Sequence, residues 1–325
     1  RSGGTGARRT AALADGGGAA QGGGDPGNFS GAGGGGGSGY AATSLTDVTL
    51  TAGVNHGNGH ATVSFRWAST VSLSASTPTP LFGHAVTLTA AVTSPAGSTP
   101  TGTVTFLDGE VPLGTATLDG GQTGLGITGL RPGPHTITAS YGGDAAHAPG
   151  QSATTTVTVS FSEPCVTGSR SGPLTVTAGQ SLCLGPGGRQ SGPVTVKAGG
   201  ALAVTGATVA GPLSSDGALA ISVCQAAFAG PVSIQGSSGY VLVGGAPSCA
   251  GNTISGPLTV DGNTGGFTAS GNTVSGPVRI TGNSGAPTPT FTGNRVTGPL
   301  SCSGNQPTLR QDGNTATGPR SGQCA

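Results

Sequence analysis

The sequence predicts an all-β chain in which a β-sandwich is followed by a parallel β-helix, or β-solenoid. Three observations predict this fold class: a Gly-Pro pair returns about every twenty residues in the second half, apolar and polar residues alternate between residues 71 and 159, and all six cysteines lie after residue 160. Alternation with a period of two is typical of half-buried strands, whereas a fixed period of about twenty residues is typical of stacked coils.

Two segments precede these signals. Residues 1–40 contain long glycine runs and few apolar side chains, which bury too little to offset chain entropy, so a Gly-rich flexible segment is predicted. Residues 41–69 are predicted to form a β-hairpin at the end of a glycine-rich domain, because two alternating runs flank the turn NHGNG. The opening residues, RSGGTGARRT, are typical of an interior point in a longer chain, so a signal for export is expected upstream.

Residues 70–160 carry about seven short alternating runs separated by turn residues, which favours a β-sandwich. The runs GHAVTLTAAV, PTGTVTFLDGEVPLGTATLDGG and GLRPGPHTITASYGGDAAHAP resemble the bacterial immunoglobulin-like (Ig-like) repeat domain of the group 3 type, over residues 71–159. The resemblance implies a spacer or an adhesive stalk on a surface or secreted protein, and no enzymatic activity.

Two residues of this region bear on its chemistry. Sandwiches of this kind usually place a tyrosine after the Leu-x-x-Gly turn, where its hydroxyl bonds back to the backbone, and this sequence has His135 there. We expect His135 to make the same backbone bond, and a pH-sensitive contact is the alternative. Asp144 follows two glycines, but one carboxylate falls short of the several oxygens that Ca²⁺ needs, so no metal site is expected.

The Gly-Pro pair sets the period of residues 161–325, which are predicted to form a disulfide-stapled β-helix of about 20-residue coils. Its glycines are Gly172, Gly192, Gly211, Gly230, Gly256, Gly276, Gly298 and Gly318, at spacings of 20, 19, 19, 26, 20, 22 and 20 residues. One unit cannot bury its apolar side alone, so successive units must stack. A leucine-rich repeat would need far more leucine, and a disordered Gly/Pro-rich tract would have no period.

Gly-Asn pairs are phased against the Gly-Pro pairs. They place Asn252, Asn272, Asn294 and Asn314 before a Gly-Pro pair, and Asn263, Asn283 and Asn305 after one. If the coils stack in register, these residues form two structural columns with neighbours about 4.8 Å apart, and their amides can hydrogen-bond along each column. The region also resembles secreted β-helix proteins of high-GC Gram-positive bacteria, which implies a source and no activity.

The cysteines test the same register. Six cysteines allow fifteen connectivities, but sequential cysteines lie at nearly the same phase on adjacent coils, within the Cα distance that a disulfide accepts. Stacking therefore favours the pairs Cys165–Cys183, Cys224–Cys249 and Cys302–Cys324. Metal binding is not expected, because the region has no Cys-x-x-Cys and no histidine. Paired cysteines indicate an oxidising compartment, so the protein is predicted to be secreted or on the cell surface.

Composition excludes several partners. Charged residues make up 7% of the chain, the net charge is +1 and the single lysine is Lys197, so no nucleic-acid partner is expected. The sequence has no apolar run long enough for a membrane span. Asp216 and Asp261 share a phase two coils apart, roughly 9–10 Å, near the upper limit for an inverting carboxylate pair. Both precede glycine and neither has an acid/base partner in the repeat, so we expect no catalytic site and no cofactor.

These observations predict an exported, non-enzymatic, surface-associated structural or adhesion protein, in which an Ig-like spacer presents a rigid polar solenoid. Its expected partners are cell-wall or extracellular glycans, or other surface proteins. The first alternative is a glycan-binding accessory module of an extracellular protein, because uncharged polar faces suit hydrogen bonds to sugars. The second is a weak polysaccharide-acting β-helix enzyme that uses the two aspartates.

Overall fold

A computed structural model describes residues 66–95, 97–245 and 249–325. The described residues contain strands and no helix, which confirms the all-β class. The predicted Gly-rich segment of residues 1–40 lies outside the described residues, and so does the predicted hairpin of residues 41–69, apart from residues 66–69. Phe65–Ala325 form one compact unit, which contains the sandwich and the solenoid.

The sandwich has two antiparallel sheets. Its strands are β1 (Thr70–Ala75), β2 (Val86–Thr93), β3 (Thr103–Asp108), β4 (Val111–Thr117), β5 (Gln122–Ile127), β6 (Gly133–Tyr141), β7 (Gly150–Gln151) and β8 (Thr155–Val159). One sheet has the order β1-β2-β5, and the other has the order β4-β3-β6-β7, with β8 also paired to β6. Alternate side chains point inward, so that Leu88 of β2, Phe106 of β3 and Ile137 of β6 belong to one buried cluster.

The solenoid has three parallel sheets, and successive coils add one strand to each. The first sheet contains β10 (Leu174–Val176), β13 (Val194–Val196), β16 (Leu213–Asp216), β19 (Val232–Gln235), β22 (Leu258–Asp261), β25 (Val278–Thr281), β28 (Leu300–Ser303) and β31 (Arg320–Gly322). The second contains β11 (Ser181–Leu184), β14 (Ala201–Thr205), β17 (Ala220–Cys224), β20 (Val241–Val243), β23 (Phe267–Ser270), β26 (Thr290–Thr292) and β29 (Arg310–Asp312). The third contains β9 (Ser169–Arg170), β12 (Arg189–Gln190), β15 (Thr208–Val209), β18 (Ala227–Phe228), β21 (Thr253–Ile254), β24 (Thr273–Val274), β27 (Arg295–Val296) and β30 (Thr315–Ala316).

Each coil therefore has more strands than the sequence predicts. The sequence predicts one strand in each unit, the first-sheet strand that follows Gly-Pro. The coil from β21 to β23 shows the two other strands. Thr253–Ile254 lies before the Gly-Pro pair, and Phe267–Ser270 lies after the corner at Asn263. A two-residue strand is too short to show alternation, which is why Thr253–Ile254 is not predicted from periodicity.

The Gly-Pro corner recurs because the backbones of neighbouring coils meet there. A Cβ atom at Gly192 would lie 2.1 Å from the carbonyl oxygen of Gly172, so a side chain cannot be accommodated. The proline that follows Gly192 has no backbone N–H to donate. Its carbonyl still takes part in the sheet, because the Leu174 N–H donates to the Pro193 oxygen at 2.8 Å. The sequence period is thus the period of closest backbone approach.

The inward side chains of the three sheets form one apolar core. On the first sheet, Leu174, Val194, Leu213, Val232, Leu258, Val278 and Leu300 stack in a single column. Each of them is at most 2% exposed. Burial of this kind provides most of the stacking free energy, because each coil covers the apolar side of the coil before it.

The sandwich packs against the first strands of the second solenoid sheet. Ala201 and Ala220, which point out of the solenoid, are buried in the same cluster as the sandwich core. A Cβ atom at Gly83 would lie 2.9 Å from the Ala201 Cβ, so small residues on both sides permit the close approach. The Ser181 hydroxyl also donates to the Phe82 carbonyl oxygen at 2.6 Å. These contacts join the two regions directly, beside the connecting residues 160–168.

Candidate functional site

Column A consists of Asn252, Asn272, Asn294 and Asn314, which lie one above another at a corner of the solenoid. The Oδ1 atom of Asn252 accepts from the Ala226 backbone N–H at 2.8 Å, and the Oδ1 atom of each later asparagine accepts two hydrogen bonds from the asparagine one coil earlier. Asn272 Oδ1 accepts from the backbone N–H and from Nδ2 of Asn252, both at 2.9 Å. Asn294 Oδ1 accepts the same two bonds from Asn272, at 2.9 and 2.8 Å. The second Nδ2 hydrogen goes to a backbone carbonyl, as from Asn272 to Val243 at 2.7 Å.

Column B consists of Asn263, Asn283 and Asn305 and repeats this arrangement at another corner. Asn283 Oδ1 accepts from the backbone N–H and Nδ2 of Asn263, at 3.2 and 2.7 Å. The column ends at a different residue type: Gln323 Oε1 accepts from the backbone N–H and Nδ2 of Asn305, at 3.1 and 2.7 Å. The sequence argument missed Gln323, because it lies five residues after Gly318 whereas column B asparagines lie seven residues after their Gly-Pro glycine.

Both columns are buried, apart from Asn314, which is half-buried. Asn263 and Asn283 are 0% exposed and Asn272 is 1% exposed. A buried amide costs free energy unless its donors and its acceptor are all bonded, and in the six buried asparagines both Nδ2 hydrogens and Oδ1 have partners. The columns therefore hold polar corners inside the protein without any charge. They begin only in the later coils, since the earlier positions of column A are the buried alanines Ala207 and Ala226.

Three disulfides join adjacent coils. Cys165 is bonded to Cys183, Cys224 to Cys249 and Cys302 to Cys324, with Cα–Cα distances of 4.6, 4.8 and 5.2 Å. These distances match the spacing of neighbouring parallel strands, so each bond fits the stack without displacing the backbone. Every cysteine of the chain is used.

The outer surface of the third sheet carries hydroxyl groups in rows. Thr253 and Ser255 of one coil lie beside Thr273 and Ser275 of the next, and all four are exposed. The first sheet carries the two aspartates: Asp216 pairs in register with Gln235, which pairs with Asp261. Over residues 66–95, 97–245 and 249–325, no group of three or more His, Cys, Asp and Glu side chains could hold a metal ion.

His135 occupies the sheet corner of the sandwich, and its backbone bond confirms the prediction for this residue. Its Nε2 donates to the Arg131 carbonyl oxygen at 2.7 Å, and its Nδ1 lies 2.6 Å from Asp108 Oδ2. The side chain is 7% exposed. Asp108 is not predicted as a partner of His135 from the sequence, because the two residues are 27 positions apart and meet only when β3 pairs with β6.

Asp144 organises the loop that follows β6. It accepts backbone hydrogen bonds from Thr101 at 2.9 Å, Ala146 at 2.8 Å and His147 at 2.7 Å. The bond from Thr101 is the largest cause that holds the pKa of Asp144 well below its usual range, because these donors stabilise the ionised form. Tyr141 donates to the Thr101 carbonyl at 2.8 Å, and its burial raises its pKa to about 12. The Asp144 carboxylate therefore stabilises the conformation of this loop.

Together, the fold and the columns define a class of protein: an Ig-like sandwich packed on a disulfide-stapled β-solenoid. Comparison with known families adds one finding, since residues 73–160 match the model of the bacterial Ig-like domain (group 3). The predicted resemblance over residues 71–159 is thereby confirmed. Searches of curated proteins and of solved structures found no significant match to the chain. No described helix is long and apolar enough to cross a membrane.

Proposed function

We propose that this protein is an exported, non-enzymatic, surface-associated structural or adhesion protein, whose Ig-like domain is a spacer that presents a rigid polar solenoid. The observation that carries the proposal is the pair of buried asparagine columns. The six buried amides are each bonded to the coil before and to the coil after, so the later coils cannot slip or rotate without breaking several buried hydrogen bonds at once. Such a structure suits a surface that must keep its shape.

The contacts at the junction support a spacer that holds the solenoid in one orientation. Phe82 and Phe161 lie with ring centroids 6.0 Å apart, and Ala201 and Ala220 are buried against the sandwich. Contacts of this kind fix the direction of the solenoid relative to its spacer, whereas an exposed Gly- and Pro-rich linker would not.

The disulfides support export. Cys302 and Cys324 are both 0% exposed, and their bond joins the last two coils. Three disulfides that use every cysteine are typical of proteins that fold in an oxidising compartment.

The exposed carboxylates support a non-enzymatic role. Asp216 is exposed, Asp261 is half-buried, and the residue between them in register is Gln235, which is neither an acid nor a base. A hydrolase needs one carboxyl group held protonated and another held ionised by its surroundings, and these surroundings are hydroxyl groups and glycine.

Surface labelling tests the proposal. Intact cells that produce the protein are treated with a membrane-impermeant biotin reagent, and free thiols are counted after denaturation without reductant. We expect the protein in the labelled fraction, with no free thiol. An unlabelled protein with six free thiols would contradict export.

The exposed hydroxyl rows favour one second candidate, a glycan-binding accessory module. Thr253, Ser255, Thr273 and Ser275 present a flat set of donors and acceptors that sugar hydroxyls can meet. A glycan array with the 325-residue protein separates the two functions: binding that is lost in the variant with all four residues changed to alanine supports the module. Release of reducing sugar from polysaccharides would support the weak enzyme.

A further inference from the structure

Three side chains of the sandwich lie in the order serine, histidine, carboxylate. Ser98 lies between β2 and β3, and Asp144 and His147 lie between β6 and β7. Ser98 Oγ is 3.1 Å from His147 Nε2, and His147 Nδ1 is 2.9 Å from each carboxylate oxygen of Asp144. A nucleophile, a base within hydrogen-bond reach and a third group that orients the base are the geometric signature of an activated serine.

The contact with Asp144 decides which ring nitrogen of His147 carries a hydrogen. The Asp144 carboxyl is ionised at neutral pH, because the bond from the Thr101 N–H, the largest of several causes, holds its pKa well below its usual range. An ionised carboxylate can only accept, so Nδ1 is the donor and Nε2 of the neutral ring is an acceptor. The Ser98 hydroxyl therefore donates to Nε2, which is the direction that general-base catalysis requires.

The base is held in place by its surroundings. The His147 side chain is 1% exposed. Its backbone lies between two hydrogen bonds to one residue: the Trp67 N–H donates to the Ala146 carbonyl, and the Ala148 N–H donates to the Trp67 carbonyl, both at 2.8 Å. A fixed base of this kind does not have to be ordered when a substrate arrives.

The nucleophile, in contrast, is accessible. Ser98 is exposed. A Cβ atom at the preceding Gly97 would have no heavy atom within 4 Å, so the space on that side is open. The backbone N–H of Thr99 makes no hydrogen bond to any residue that the structure describes. In many serine hydrolases, the N–H of the residue after the nucleophile donates to the oxyanion, and Thr99 has that position here.

We propose that Ser98 is an acyl-acceptor site, at which the protein takes an acyl group from an ester or a thioester. Ser98 Oγ forms a bond to the carbonyl carbon while its proton passes to His147 Nε2, and Asp144, a positioning residue, stabilises the imidazolium. The tetrahedral intermediate then loses the alcohol or thiol, which takes the proton from Nε2. The products are the acyl ester of Ser98 and a free alcohol or thiol.

The acyl-acceptor site goes beyond the structural role proposed above. Acylation modifies the protein itself, and it would attach the sandwich covalently to the acyl group of the donor. The structural role does not depend on this reaction, because the asparagine columns and the disulfides lie in the solenoid.

Covalent labelling of the 325-residue protein tests the site. A fluorophosphonate, which loses fluoride when a serine oxygen attacks its phosphorus, should label Ser98, as mapped by mass spectrometry, and p-nitrophenyl acetate should give a burst of p-nitrophenol. Ser98→Ala should abolish both signals. Ser74→Ala is the matched control and should label normally, because Ser74 is exposed on β1 and is outside the hydrogen bonds of the described histidines.

Two variants test the roles of the other residues. His147→Gln should lower the labelling rate about a hundredfold or more, as loss of a general base does. Asp144→Asn should lower the rate as well and should change the ring ¹⁵N shifts of His147, which report the hydrogen on Nδ1. A lower rate with unchanged ring shifts would contradict the positioning role of Asp144.

A cysteine at the same position tests the base without relying on a destabilised variant. With the disulfides intact, Ser98→Cys should react with iodoacetamide at pH 6 at least about tenfold faster than Ser74→Cys, because a histidine partner favours the thiolate. Equal rates would overturn the proposal, as would an unlabelled Ser98 or a label that persists in Ser98→Ala. Release of p-nitrophenol that continues after the burst would support acylation at Ser98 and would contradict only the non-enzymatic role proposed above.

Discussion

The sandwich and the solenoid solve the same problem, buried polar corners, with different chemistry. In the sandwich, corners use ionisable side chains: His135 beside Asp108, and Asp144 beneath three backbone N–H groups. In the solenoid, corners use neutral amides in two columns. The difference follows from repetition. A charge that occurs once can be matched by one partner, whereas a like charge in every coil would face another about 4.8 Å away.

The largest effect is expected when a charge is placed in the middle of a column. Asn272→Asp replaces Nδ2 by an oxygen that faces the Val243 carbonyl and Asn294 Oδ1. An uncompensated buried charge costs about 3–5 kcal/mol, and we expect a loss of that size in the free energy of unfolding at pH 7. Urea unfolding measures it. A loss no larger than that of Asn272→Ala would contradict the need for a neutral column.

The sign of the pH dependence follows from the same contacts. Burial beside two acceptors should raise the pKa of the introduced carboxyl in the folded state above its unfolded value. The protonated variant is therefore the more stable one, and stability is lost as pH rises through the folded-state pKa. At pH 3.5 part of the loss should be recovered.

The second largest effect is expected when a disulfide is removed, because the disulfides lie in the solenoid and not in the sandwich. Replacing Cys302 and Cys324 with serine should lower the free energy of unfolding by about 2–4 kcal/mol. Hydrogen exchange should rise in residues 290–325, and the strands around Phe106 should keep their protection. Uniform loss of protection in both regions would contradict this division.

Peptide mapping without reductant provides the matching control. The pairs Cys165–Cys183, Cys224–Cys249 and Cys302–Cys324 should be recovered. A crosslink such as Cys165–Cys302 would be incompatible with stacked coils.

A smaller effect is expected when one amide is removed without adding charge. Asn272→Ala leaves the two donors of Asn252 without an acceptor and removes the Nδ2 donor to Asn294 Oδ1, which keeps only the backbone N–H of residue 272. An unpaired buried polar neighbour costs about 1–2 kcal/mol, so the urea midpoint should fall accordingly. Stability equal to the unchanged protein would mean that the asparagines are merely solvated corners.

In the sandwich, Asp144→Asn should change the response to acid. The lowered pKa of Asp144 means that its carboxylate stabilises the fold above the unfolded-state pKa, and that this contribution is lost as pH falls through the folded-state value. The variant should therefore be less stable at neutral pH and should lose less stability on acidification. Parallel urea melts of the two proteins between pH 6 and pH 2 check this, and identical acid profiles would refute it.

The smallest effect concerns Asp216 and Asp261. The double variant Asp216→Ala, Asp261→Ala should unfold within about 0.5 kcal/mol of the unchanged protein, as is usual for surface substitutions. Reducing-sugar release should be the same in both. Loss of a hydrolytic activity in the double variant would overturn the non-enzymatic proposal.

The sequence predicts the solenoid well because its marker residues have a local cause. Gly192 must be glycine because the backbones of two coils approach closely there. The spacing of such glycines in the sequence is therefore the spacing of the coils. Features that depend on distant residues were missed. Asp108 meets His135 only through strand pairing. Gln323 ends column B although it lies five residues after its Gly-Pro glycine instead of seven. A Cβ atom at Gly83 would lie 2.9 Å from the Ala201 Cβ, a contact between the two regions.

The central claim is that repetition excludes charge from the columns, and the coupling between two neighbouring carboxylates tests it most directly. Asn294→Asp, Asn314→Asp and the double variant form a double-mutant cycle at the outer end of column A, where the rest of the stack remains intact. Urea melts at pH 7 should give an extra loss in the double variant of about 1–3 kcal/mol beyond the sum of the single losses, and most of that extra loss should disappear at pH 3.5. Additive losses at both pH values would contradict the claim.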